Sequence, residues 1–220
     1  MNSLKKIFPL ILVVVICVVA GILISSAIYS ITGFSLFGRE REKPPATDDI
    51  SNADLNALAY SVLESIKNSD YAALSRVAHP VLGVLFSPQA TVTKSSNKCF
   101  RPEEIAAFGT DTNIYVWGVN SASGEPIEMT PSEYISRFVF FKDYTTAPFI
   151  GVNHIVRSGN ALENITDVFP DMQFIEFHIP GRNGGQYPIE DYDWSTLRLG
   201  FEKHDGNLWL TAIIHSEWAV

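Results

Sequence analysis

Five histidines are the residues best suited to proton chemistry, and among those that stand two positions from a glutamate two share one predicted sheet face with an arginine. His178 follows Glu176 in "IEFHI", and His215 precedes Glu217 in "IIHSEW". Residues i and i+2 of a strand share a face, so each imidazole lies beside a carboxylate. With Arg198 on the intervening strand they form one polar cluster: Glu176, His178, Arg198, His215 and Glu217. Carboxylate-oriented imidazoles of this kind serve as general bases or zinc ligands. The plainer reading is an ion network on the outer face of a sheet, solvated or buried in a homodimer, because polar-out alternation is the ordinary state of an antiparallel sheet. The cluster is therefore expected to be a binding or dimer patch.

His154 differs, because it alternates with Ile150, Val152 and Val156 and is expected to point to the apolar side. It is the candidate catalytic base of a cavity that Tyr115 or Trp117 would shape. No Asp or Glu shares its face to tune it, so the alternative is a core histidine hydrogen-bonded to a neighbour. His79-Pro80 reads as a helix end, with the imidazole near the last carbonyls, where positive charge is tolerated. Glu190, Asp191 and Asp193 sit in the long loop "PGRNGGQYPIEDYDW", without the spacing of a calcium-binding loop but long enough for a lid. Asn164-Ile165-Thr166 is a glycosylation acceptor only in a eukaryotic secretory pathway. No phosphate loop, nucleophile elbow or HExxH motif is present, and neither a cofactor nor a metal is expected.

These residues need elements to hold them. Leu55, Leu58, Ala59, Val62, Leu63 and Ile66 recur with helical period, and Ser51 with Asp54 is spaced as a capping box. A second helix is capped by Asp70 and stopped by Pro80. Shorter helices open at Pro102 and at Thr130-Pro131-Ser132-Glu133. Strands are predicted at 113–119, 148–156 and 172–179, followed by a hairpin around Asp205-Gly206. A two-residue turn there sets His204 opposite Asn207 and Phe201 opposite Leu210. An unbroken ladder then sets Leu199 opposite Ala212, Arg198 opposite Ile213, Leu197 opposite Ile214 and Thr196 opposite His215. Leu197, Leu199, Phe201, Leu208, Leu210, Ala212 and Ile214 should share the core face, leaving Arg198, Glu202, Trp209, His215 and Glu217 outside.

The chain from Ile7 to Ile31 carries no charge and is long enough to cross a hydrocarbon core of ~30 Å as a helix. Its apolar run is longer than a signal-peptide core, so an uncleaved anchor is expected. Ile16 ahead of Cys17 argues against lipoprotein processing. The expected organisation is a cytoplasmic tail at 1–6, a single transmembrane helix at 7–31, a juxtamembrane linker at 32–50 and an extracytoplasmic α+β domain at 51–220. Residues 44–220 hold 11 Lys and Arg against 22 Asp and Glu, a net charge of −11, which makes nucleic acid and anionic headgroups poor partners. Cys99 is the one cysteine of the domain, so no disulfide forms within it.

Two N-terminal helices, mixed elements and a closing antiparallel meander resemble the nuclear-transport-factor-2-like cone, in which a curved sheet wraps the helices. The stretches "AHPVLGVLFSP", "WGVNSASGEPI", "IEFHIPG", "DWSTLRLGFEK" and "LTAIIHSEW" look like those of uncharacterised exported or membrane-anchored proteins of Gram-positive bacteria. That second resemblance implies no activity. Together they imply a membrane-anchored extracytoplasmic domain that binds or scaffolds a protein or small ligand. The alternative is a cone-fold hydrolase, dehydratase or isomerase using a cavity histidine.

Overall fold

A computed structural model describes residues 51–120, 123–182 and 192–218. The expected tail, membrane helix and linker, and residues 183–191 of the long loop, lie outside the described residues. Among the described residues no helix is long and apolar enough to cross a membrane.

The domain is α+β. Helix α1 (Asn52–Lys67) starts at the capping box, where the Ser51 hydroxyl accepts from the Asp54 amide at 3.2 Å and the Asp54 carboxylate accepts back at 3.3 Å. Its stripe of Leu55, Ala59, Val62, Leu63 and Ile66 is buried. Each of its Leu, Val and Ile side chains contributes about 1.5–3 kcal/mol on leaving water. Helix α2 (Tyr71–Val77) is capped by Asp70, which accepts from the Ala73 amide at 2.8 Å.

Six strands form one sheet: β1 (Val84–Ser87), β2 (Lys98–Phe100), β5 (Phe149–Val152), β6 (Gln173–Ile179), β7 (Ser195–His204) and β8 (Asn207–Glu217), in the order β2-β1-β8-β7-β6-β5. Its ladders are antiparallel except that β1 runs parallel to β8. Strands β3 (Tyr115–Val119) and β4 (Pro126–Met129) make a separate ribbon. Short helices α3 (Pro102–Ala106), α4 (Pro131–Tyr134) and α5 (Ile165–Val168) connect them, and α4 continues into a π-helical turn, Ile135–Val139.

One face of the sheet packs Phe86, Phe177, Leu197, Leu199, Phe201 and Ile213 against α1 and α2. We call it the inner face. The outer face is covered as well. There Leu85, Phe174, Ala212 and Ile214 pack against Val92, Ile165, Phe169 and Met172, so the chain from 153 to 172 lies over a surface expected to be open.

The β7–β8 hairpin departs from the expected register. Asp205 and Gly206 turn with φ of 49° and 80°, and the pairs His204 with Asn207 and Phe201 with Leu210 hold. Gly200 then pairs with Ala212, leaving Thr211 as an extra residue whose hydroxyl donates to the Gly200 carbonyl at 3.2 Å. This bulge moves everything after it by one. Leu199 faces Ile213, Arg198 faces Ile214, Leu197 faces His215 and Thr196 faces Ser216. Ala212 and Ile214 therefore leave the inner face, and Ile213, His215 and Glu217 join it.

Strand β5 ends early. Asn153 adopts φ 53°, its side chain accepts from the Phe174 amide at 2.8 Å, and the chain leaves the sheet before His154. His154 is exposed, not part of a cavity. The alternation that aimed it inward needed a strand running to Val156.

Candidate functional site

The bulge divides the expected polar cluster between two faces. Glu176 and Arg198 remain paired on the outer face, opposite each other in the ladder. Arg198 Nε donates to Glu176 at 2.5 Å, its Nη atoms bind both oxygens of Glu163, and Nη2 also reaches the Arg157 carbonyl at 3.5 Å. The other Glu176 oxygen accepts from the Val156 and Arg157 amides at 2.9 and 3.0 Å. Arg198 and Glu176 are both fully buried. Each guanidinium nitrogen and each Glu176 oxygen has a partner, as buried charge requires. The network pins the covering segment to the sheet and is no open binding or dimer patch.

His178 lies on the same face, with Nδ1 3.0 Å from the Thr196 hydroxyl and its ring between Phe149 and Trp194. Burial, helped by the charges of Arg157 and Lys142, lowers its pKa to about 4, so the imidazole is neutral.

The inner face holds a different arrangement at the end of β8. His215 is 1% exposed and packs edge-on between the rings of Phe138 and Phe141, with centroids 5.7 and 5.5 Å away. Neither ring nitrogen makes a hydrogen bond. Nε2 stands 3.3 Å from Glu217, off the line of a good bond. Burial holds His215 below the ordinary histidine pKa, outweighing the pull of Glu217.

Glu217 faces Arg137, whose Nη2 donates at 2.7 Å and whose guanidinium lies 4.5 Å over the Phe138 ring. Burial works to raise the Glu217 pKa. The His215 contact and the Arg137 hydrogen bonds outweigh it and bring the carboxyl down to about 2. The site thus pairs a neutral imidazole with an ionised carboxylate, the combination that lets a histidine accept a proton.

Arg137 and Phe138 belong to the π-helical turn, a form that recurs at functional sites because it re-aims side chains within a helix. The Thr130–Glu133 capping box starts that helix in register, the Thr130 amide donating to Glu133 at 2.8 Å. Tyr134, one turn before Phe138, stacks on Trp117 at 3.8 Å and leaves its buried hydroxyl unpaired. Burial alone pushes that phenol's pKa well up. Nearby on the inner face, Tyr144 and Ser195 share a hydrogen bond between their hydroxyls.

Beside this end of the sheet lies a cleft of about 590 Å³ whose lining includes Gln89, Ile127, Met129, Arg137, Phe138 and Glu217. A second cleft of about 440 Å³ is bounded by Phe141, Lys142, Trp194 and, again, Glu217. Glu217 stands on the wall of both. Trp117 and Tyr115 shape neither: Trp117 is core, donating to the Met129 carbonyl at 2.9 Å, and the Tyr115 hydroxyl bonds Asp111 at 2.8 Å. The Asn164 amide is engaged on both sides by the Val92 backbone, at 2.8 and 2.9 Å. Asp193 pairs with Arg182 at 3.4 Å. Among the described residues no three His, Cys, Asp or Glu side chains are grouped to hold a metal.

Sequence reasoning found His215 and Glu217 but put them on the wrong face, and it missed Arg137, Tyr134, Tyr144 and Ser195. The signal for two of these was present, since the Thr130 capping box and the Tyr134–Phe138 spacing mark a helix with an aromatic inner side.

No protein-family model and no curated protein matches the chain. Several solved structures resemble it. A designed NTF2-like protein superposes with a TM-score of 0.33 at 13% identity over 75% of this chain and 98% of its own. A DUF4783 family protein from Bacteroides ovatus gives 0.27 at 10% identity over 71% and 92%. A candidate calcium/calmodulin-dependent protein kinase II association domain from Xanthomonas campestris gives 0.29 at 13% over 79% and 92%. The class assigned here, helices packed on one face of a mostly antiparallel sheet, rests on the elements of the chain itself.

Proposed function

We propose that this chain is a membrane-anchored, extracytoplasmic binding domain with a cone of the nuclear-transport-factor-2-like type, whose ligand is a small organic cation with an apolar body. The anchor is residues 7–31, and the ligand's site is the 590 Å³ cleft at the end of β8. One observation carries the reading: Glu217, ionised and half-buried at the end of β8, lines the cleft beside Arg137 and Phe138 of the π-helical turn and is backed by a histidine with no hydrogen bond. Glu125 and Glu128 also line the cleft, three acids against the single Arg137, while Phe138 and Met129 supply apolar surface. Aromatic faces and carboxylates together suit a cation. The net charge of −11 over residues 44–220 raises its local concentration. Self-association through Glu176 and Arg198 forms no part of this proposal, because both are covered.

The amine dye dansylcadaverine, titrated into the full-length protein, tests the site. Saturable binding that weakens about tenfold in Glu217→Gln supports it, in line with the loss of one charged hydrogen bond. Equal affinity for both proteins removes the cleft from consideration. Compartment is tested separately by labelling Cys99 in intact cells with a membrane-impermeant thiol reagent. Burial pushes the Cys99 thiol's pKa up, so labelling is done near pH 8.5. Reaction before lysis supports an outside domain, and reaction only after lysis contradicts it.

A second reading, an enzyme using an inner-face histidine, is favoured by the unpaired nitrogens of His215 beside an ionised carboxylate. His215→Asn separates the two readings once a turnover is found: an enzyme loses kcat, and a binding domain keeps its dye affinity.

A further inference from the structure

His79 follows α2 and is 3% exposed. Its amide donates to the Leu210 carbonyl at 2.9 Å, and its own carbonyl accepts from the Gly83 amide at 2.9 Å. The side chain does not face helix carbonyls, as a charged helix-end histidine would. Instead Nδ1 accepts two backbone amides, from Val81 at 3.1 Å and Leu82 at 3.0 Å. A ring nitrogen that accepts two hydrogen bonds carries no proton, so the neutral ring with hydrogen on Nε2 is the form this turn requires. The turn holds two of the most exposed aliphatic side chains, Val81 and Leu82, 69% and 54% exposed. It leads through Gly83, at φ 72° and with the Phe100 backbone against its Cα, into β1.

From the β7–β8 hairpin, the His204 ring packs 4.9 Å from the His79 ring, with Asp205 3.4 Å behind His204. From β2, the Cys99 thiol donates to the Leu82 carbonyl at 3.2 Å. From β8 the contact is the Leu210 backbone, which also bridges Ala78. Among the described residues, His204 is the titratable neighbour that bears on the His79 ring.

We propose that His79 is an acid-released latch: a proton on Nδ1 turns its acceptor into a donor, both amide bonds break, and the turn carrying Val81 and Leu82 comes free of the hairpin. Burial, then His204, holds the His79 pKa below the ordinary histidine value. The neutral form is thus favoured by folding, and the latch is fully closed above about pH 6.5 and loosens as pH falls through and below it.

Amide hydrogen exchange in the full-length chain, corrected for the intrinsic effect of pH, reads the latch at Val81 and Leu82. Protection should fall at least tenfold between pH 7 and pH 5. In His79→Asn, whose Oδ1 accepts from the same position but does not titrate, protection should be flat across that range. Wild-type protection that does not change, or that falls equally in His79→Asn, overturns the proposal. If the variant does not fold, the ¹⁵N shifts of the wild-type ring decide. A neutral ring protonated on Nε2 that charges in step with loss of the two amides supports the latch. A ring protonated on Nδ1 at pH 7 overturns it.

Discussion

The two faces of the sheet carry two polar clusters with opposite bookkeeping. On the outer face Arg198 meets Glu176, Glu163 and the Arg157 carbonyl, and Glu176 takes two amides in addition. On the inner face His215 and Tyr134 are as deeply buried, yet neither makes a side-chain hydrogen bond, and His215 meets Glu217 only at 3.3 Å. A fully satisfied network ties a segment down and specifies one arrangement. An unsatisfied group costs stability and persists where something other than stability retains it. The first cluster is therefore read as architecture, and the second, beside the cleft that Glu217 lines, is the one on which the proposed ligand site depends.

The largest effect expected from this contrast is at Arg198. Arg198→Met leaves the buried Glu176 and the partly buried Glu163 without their cation and should cost about 3–5 kcal/mol, measured by urea unfolding. A loss below about 1 kcal/mol would make the outer network as dispensable as a surface pair. Next comes acid. The His178 pKa is lowered to about 4, first by burial, so folding favours the neutral ring. Its contribution is whole above about pH 6.5 and is lost as pH falls through about 4, about 3 kcal/mol in all. His178→Gln should flatten that part of the pH–stability curve, and an unchanged curve would assign the acid sensitivity elsewhere. Smaller still is the half-exposed Arg137–Glu217 pair. Arg137→Met should change stability by less than about 1 kcal/mol, because exposed ion pairs contribute little. A loss as large as that at Arg198 would erase the distinction between the faces.

Much of the architecture is legible in the sequence. The Ser51–Asp54 box, the aliphatic stripe of α1, the Thr130 box and the Asp205-Gly206 turn are local signals whose meaning depends on a few neighbouring residues, and each appears as expected. The site was harder because its placement depends on counting. One extra residue, Thr211, reverses the facing of every later side chain of β8, and a bulge next to Gly200 leaves no mark in an alternation of apolar residues. His154 failed for a related reason: Asn153 takes a left-handed conformation and ends the strand, although the apolar pattern runs on to Val156. The cover over Arg198 arises from residues 153–172, far along the chain from the surface they hide, which no local pattern encodes. The His79 imidazole was placed at a helix end correctly but given the wrong partners, since carbonyls and amides both lie within reach there.

The most direct test of the account is the unfolding free energy of His215→Leu at pH 7. If His215 is kept for a ligand and not for the fold, removing its unpaired nitrogens from the core should leave stability unchanged or raise it by up to about 1–2 kcal/mol. A loss of more than about 1 kcal/mol would show that the imidazole is a satisfied part of the core, and the contrast between the two faces would not stand.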